Sequence, residues 1–132
     1  MVFSGTFTSG GLQIECCDNR LRIVQEGRHR KFVPQIEQIC YNAGFAAEEG
    51  RVALFVTERG VFDVGPNGLR LIEIAPGVDL EQDILANMAF RPEIAADLKT
   101  MDARLFSEQP MGLAAGLASA PEGRRKPRRT LN

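Results

Sequence analysis

A chain of 132 residues with a net charge of −1, 44% hydrophobic and 25% charged, has the composition of an ordinary globular domain. No apolar run nears the roughly 18 residues that cross a bilayer, no basic-then-apolar leader opens the chain, and no basic folded face is apparent. Membrane insertion and specific nucleic-acid binding are therefore not expected, and the cytoplasm is the expected location. Charge is uneven, because the segment from Ser107 onward carries five basic and two acidic residues and leaves about −4 on the rest.

Residues 1–7, "MVFSGTF", read as an interior strand, followed by a break at Thr8, Ser9, Gly10 and Gly11. "LQIECC" and "LRIVQE" alternate apolar and polar residues around Asp18, Asn19 and Arg20, which signals a hairpin. One of Cys16 and Cys17 is then expected to face the core and the other solvent. In "KFVPQIEQICY" the alternation at Phe32, Ile36 and Ile39 is imperfect, and Pro34 makes this an edge strand or a broken one. Residues 43–49 suit a short helix stopped by Gly50. "VALFVT" is a continuous apolar run, as in a strand covered on both faces. "GVFDV" and "LRLIEI" flank a clear turn at Gly65, Pro66, Asn67 and Gly68.

Past Ala75 the apolar period changes from two to about 3.6. Asp79 can cap a helix, with Gln82 completing a capping box and Leu80, Ile84, Leu85 and Met88 forming its stripe. Pro92 opens a second expected helix with a stripe at Ile94, Leu98, Met101 and Leu105. The expectation is thus an α/β, β-rich open sheet with hairpins and two C-terminal helices. Residues 1–106 form the folded part, and 107–132 a flexible tail that is basic at its end. A strand beginning at the first residue, with no cap or edge-protecting charge, is expected to be covered by another chain or by a larger protein.

Few residues offer chemistry. Glu58, near Gly60, could serve as a nucleophile. No base, Lys or second carboxylate lies at a supporting spacing, so Glu58 and Arg59 read as the polar end of a core strand. His29 is the single histidine and sits among Arg28, Arg30 and Lys31, which suits a solvated turn better than a metal site. Cys16 and Cys17 lack metal or redox spacing, Cys40 stands alone, and no phosphate-loop or dinucleotide fingerprint occurs. Gly10 and Gly11 could bring backbone N–H groups against an anionic ligand and are the candidate cofactor-binding residues. The run "GRRKPRR" suits a solubilising tail. No catalytic and no metal-binding residue is assigned.

The segment "VTERGVFDVGPNGLRLIEIAPGVDLEQDILANMAFRP" resembles the C-terminal region of the acyl-CoA:carboxylate CoA-transferases, in the fused-subunit branch that includes acetate and propionate CoA-transferases. "FSGTFTSGGL", "EGRHRKFVPQIEQI" and "DLKTMDARLFSEQPMGL" are similar to the same family in the same order, so the resemblance spans about residues 2–113. It implies movement of coenzyme A, as substrate rather than tightly bound cofactor, from an acyl-CoA to a short-chain carboxylate through a glutamyl-CoA thioester. It also implies that the family's nucleophilic glutamate and glycine-rich loop lie upstream of this segment, with no counterpart here. Glu58 then aligns with a scaffold position. The expectation is a fragment or split subunit, inactive alone, that self-associates or binds the missing upstream portion. The alternative is a non-catalytic remnant acting as a binding or assembly module.

Overall fold

The structure, a computed structural model, describes residues 1–35 and 43–119. Its centre is a five-stranded sheet in the order β1 (Val2–Ser4), β6 (Leu54–Val56), β7 (Gly60–Gly65), β8 (Gly68–Ile74) and β9 (Glu93–Thr100). The inner pairs β6–β7 and β7–β8 are antiparallel, whereas β1 runs parallel to β6 and β9 parallel to β8. Two small ribbons accompany it: β2 (Thr8–Ser9) with β5 (His29–Arg30), and β3 (Gln13–Cys17) with β4 (Arg20–Gln25). Helix α1 spans Ala43–Glu48 and α2 spans Leu113–Ser119.

Turn chemistry sets the hairpins. Asp18 and Asn19 both take positive φ, 53° and 58°, the conformation a two-residue primed turn needs and one that short polar side chains tolerate. Pro66 and Asn67 connect β7 to β8 with Gly65 opposite Gly68. Gly50, at φ +70°, ends α1, and the Arg51 N–H donates to the Ala46 carbonyl across it, as in a Schellman motif.

Strand β7 is the axis of the core. Phe62 points to a cluster with Phe7, Leu71, Ile84 and Met88, while Val61 points to one with Leu21, Ala75, Met101 and Phe106. The strand covered on both faces is therefore β7; β6, expected in that role, is only half-buried along its length. The covering elements sit over β7 and leave β6 closer to the open end of the sheet. Each fully buried Phe or Leu here contributes about 1.5–3 kcal/mol.

The two helices expected after Ala75 come out differently. Residues Leu80–Ile84 form a π-type turn and Leu85–Asn87 a 3-10 turn. The Asp79 carboxylate accepts from the Gln82 N–H at 2.8 Å, as a cap should, but it is the Asp83 side chain, not Gln82, that returns to the Asp79 N–H. Residues Glu93–Thr100, expected as a helix, are instead strand β9. Ile94 and Leu98 lie four apart, a spacing that places them on one face of a strand as well as of a helix. Leu105, the last residue of the supposed stripe, is 51% exposed. With a parallel β8–β9 pair, residues 75–92 are the crossover that such pairing requires.

Three smaller expectations also change. Strand β1, read as interior, lies at one end of the five-stranded order, with Val2 64% exposed. Cys16 and Cys17 are both exposed, because β3 is exposed along its whole length and only Leu21 of the hairpin enters the core. Helix α2 lies in the segment expected to lack regular structure, although its described side chains are exposed. Residues 31–35 contain no strand, in keeping with the break at Pro34, while Ile36, Ile39, Cys40 and the basic run lie outside the described residues. No helix among the described residues is long and apolar enough to cross a membrane.

Candidate functional site

The polar residues gather where the β2–β5 ribbon meets the turn between β6 and β7. That turn is closed by Thr57, whose hydroxyl donates to the Gly60 carbonyl at 2.9 Å and accepts from the Gly60 N–H at 3.1 Å. Gly60 is required, since a Cβ there would stand 2.9 Å from both the Glu73 carbonyl oxygen and a Leu71 methyl. Between them Arg59 turns inward and is fully buried.

A buried guanidinium is costly unless every donor is met. Here all five N–H groups have an acceptor. Arg59 grips the Glu26 carboxylate with two parallel bonds of 2.7 and 2.6 Å, reaches the Asp83 carbonyl at 2.7 Å and the Thr8 hydroxyl at 3.4 Å, and donates through Nε to Glu58 at 3.3 Å. Its guanidinium carbon also lies 4.8 Å from the centre of the Phe7 ring, a cation–π distance. Burial pushes the Glu26 carboxyl up, but hydrogen bonds from Arg59 and Thr8, the Arg59 charge and the Gly27 N–H together hold it below its ordinary value.

Glu58 is tied twice. One oxygen accepts from Arg59, and the other accepts from the Phe7 N–H at 2.8 Å, which fixes the chain leaving β1. Glu58, read from the sequence as the polar end of a strand, lies in the turn between β6 and β7. Arg59, read from the sequence as a polar strand end, is instead fully buried; charged-residue–glycine pairs also occur at Glu49-Gly50 and Glu122-Gly123 and gave no signal for it.

Gly10 and Gly11 follow β2, with φ of +79° and +88°. Their backbone lies against the start of β5: the Arg28 N–H donates to the Gly10 carbonyl at 3.0 Å, and a Cβ on Gly10 would stand 2.6 Å from the His29 ring. The Arg28 guanidinium is 3.7 Å from where a Cβ on Gly11 would sit. His29 is exposed, as expected, although it belongs to a strand paired with Ser9 rather than to a turn. Arg28, His29 and Lys31 have no carboxylate partner among the described residues, whose ion pairs involve other cations. No cluster of metal-binding side chains occurs among them. The arrangement is a saturated buried ion network beneath an exposed basic, glycine-bearing ribbon.

No family model matches the chain. It is 48% identical over 112 residues to the acetate CoA-transferase YdiF of Escherichia coli strain K12, covering 85% of this chain and 21% of that protein. It is 46% identical over 113 residues to the caffeate CoA-transferase of Acetobacterium woodii, again covering 21% of the relative. The chain thus spans about a fifth of the length of the curated relatives it matches, and the match is to a C-terminal-type segment. The crystal structure of the E. coli O157:H7 acyl-CoA transferase YdiF, as a thioester complex with CoA, superposes with a TM-score of 0.81 at 49% identity, over 84% of this chain and 22% of that one. The decarboxylase AibA/AibB, at 16% identity and a TM-score of 0.50, shares the fold alone.

Proposed function

We propose, for a chain with the sequence and fold of a C-terminal CoA-transferase segment, that it is the C-terminal portion of the second-half domain of such an enzyme. The complete protein would move CoA from an acyl-CoA to a short-chain carboxylate through a glutamyl-CoA thioester, in the cytoplasm. The observation that carries this reading is the 48% identity over 85% of the chain to an acetate CoA-transferase. Residues 1–106 are the domain portion, a boundary supported by Phe106 being the last buried residue described, and 107–132 are a tail.

In this reading the nucleophilic glutamate comes from the upstream portion. The geometry supports that assignment, because Glu26 and Glu58 are both engaged by Arg59. A carboxylate that must leave such a network to attack a thioester would leave a buried cation uncompensated. CoA meets this chain at Gly10 and Gly11, beside which Arg28 offers a cation to an anionic group.

The test is co-expression with the upstream portion of an acetate CoA-transferase. The combined protein should transfer CoA, and mass spectrometry after acyl-CoA treatment should find the CoA adduct on the upstream piece and none on this chain. An adduct on Glu58 or Glu26 would overturn the assignment of the nucleophile. Persistent inactivity of a stable complex would favour a binding or assembly role instead.

A further inference from the structure

Five asparagines occur in the chain, and Asn67 alone is followed by glycine. It stands with Pro66 at the tip of the hairpin between β7 and β8, where Gly65 faces Gly68. Pro66, Asn67 and Gly68 are all exposed. Gly68 takes φ +110°, and a Cβ built there would meet nothing within 4 Å, so nothing packs over its backbone on that side. Among the described residues the Asn67 amide has one hydrogen-bond partner, Glu93 at the start of β9, and that donation is long at 3.4 Å.

An asparagine side chain places an electrophilic carbon beside the next main-chain nitrogen. Loss of the Gly68 N–H proton to solvent base lets that nitrogen attack Asn67 Cγ and close a succinimide ring. The tetrahedral adduct expels Nδ2 as ammonia. Water then opens the ring at either carbonyl. Opening at Cγ gives aspartate; opening at the main-chain carbonyl gives isoaspartate, in which the chain runs through Cγ. Ammonia is lost and water is gained, and no oxidant, reductant or cofactor takes part. Attack requires the backbone to rotate out of the hairpin turn, and glycine offers no Cβ to resist that rotation.

The other described asparagines lack this combination. Asn19 is also exposed and lies in a hairpin turn, but Arg20 follows it, and a Cβ crowds the attacking nitrogen. Asn87 donates to the Gln82 and Asp83 carbonyls at 3.0 and 3.4 Å, and the next residue, Met88, is buried. We propose that Asn67 is a self-modification site, converting to isoaspartate and aspartate in the folded chain with solvent water as its only co-reactant. The product differs from its parent where β7, β8 and the start of β9 meet. A carboxylate replaces the amide that donates to Glu93 and sets like charges against each other, while isoaspartate adds a main-chain methylene inside the Gly65–Gly68 closure. The reaction needs only water and this chain, so it stands apart from the transferase reading.

The experiment is incubation of the folded full chain in mildly alkaline buffer free of ammonia, followed by peptide mapping with mass spectrometry. A protein L-isoaspartyl carboxyl methyltransferase with labelled S-adenosylmethionine reads out isoaspartate. Asn67 should convert at least roughly tenfold faster than Asn19 or Asn87, and the methyl label should map to the peptide that carries Asn67. This comparison is made within the unaltered chain and needs no variant to fold. In Asn67→Gln, whose amide would have to close a larger ring, the acidic species and the methyl label should both fall away. Conversion of Asn67 no faster than that of Asn19, conversion confined to the urea-unfolded chain, a label mapping elsewhere, or acidic species forming at an undiminished rate in Asn67→Gln would each overturn the proposal.

Discussion

Arg59 and Lys31 are cations placed beside the same turn from β1 into β2, and they do opposite work. Arg59 has no exposure and five satisfied donors; Lys31 is exposed and has one described partner. A buried charge must recover its desolvation cost from fixed acceptors, so every bond Arg59 makes is already committed to the fold. An exposed ammonium keeps its hydration until something better arrives, and it can exchange water for a ligand at little structural cost. The contrast teaches how to sort charged residues in such a chain: count the unsatisfied donors, not the proximity to a motif.

The sharpest way to break that contrast is Arg59→Met. It leaves Glu26 and Glu58 without their cation, and the expected loss is about 3–5 kcal/mol in urea unfolding. A change below about 0.5 kcal/mol would show that the network contributes nothing. Gly27→Ala should follow at about 1–3 kcal/mol, because the new Cβ would lie 2.5 Å from the Ser9 carbonyl oxygen and 2.6 Å from the Thr8 hydroxyl that Arg59 reaches.

Acid should probe the same network. The folded Glu26 carboxyl lies below its ordinary value of 4.5, so its contribution is complete above that pH and is lost as pH falls through the lower folded value. Glu26→Gln should remove part of this acid-side loss, visible as a shallower fall in melting temperature below pH 4.5. An unchanged pH profile would mean that Glu26 does not carry it. At the small end, Lys31→Met should shift stability by no more than about 0.5 kcal/mol, as surface substitutions do. A loss comparable to that of Arg59→Met would erase the distinction between the two cations.

Much of the strand content was legible because turns declare themselves. Asp18 with Asn19, and Pro66 with Asn67, place two hairpins by backbone preference alone, and Asp79 marks a helical start through its own carboxylate. Strand β9 was not legible. Ile94 and Leu98 satisfy both periodicities, and the choice fell to the parallel pairing with β8, a contact between segments some twenty residues apart. The bulge between Leu71 and Glu73 lets β9 carry more residues than its partner, which further blurs an alternating pattern. The cysteine pair misled for a related reason. Alternation along β3 implied a buried face, but the β3–β4 hairpin reaches the core only through Leu21, held by a bond from its N–H to the Pro76 carbonyl at 2.8 Å.

Sequence by itself determined the local events of this protein: where the hairpins turn, where α1 stops at Gly50, and which enzyme family the ordered motifs resemble. These follow from backbone preferences and from short patterns that need no distant partner. Tertiary structure alone decided that Arg59 is buried, that β7 rather than β6 is enclosed, and that Lys31 overhangs an aromatic cleft. Each of those depends on residues far apart in the chain meeting across the sheet. A charge reads the same in sequence whether its partners are water or five fixed acceptors, and only the packed fold tells them apart.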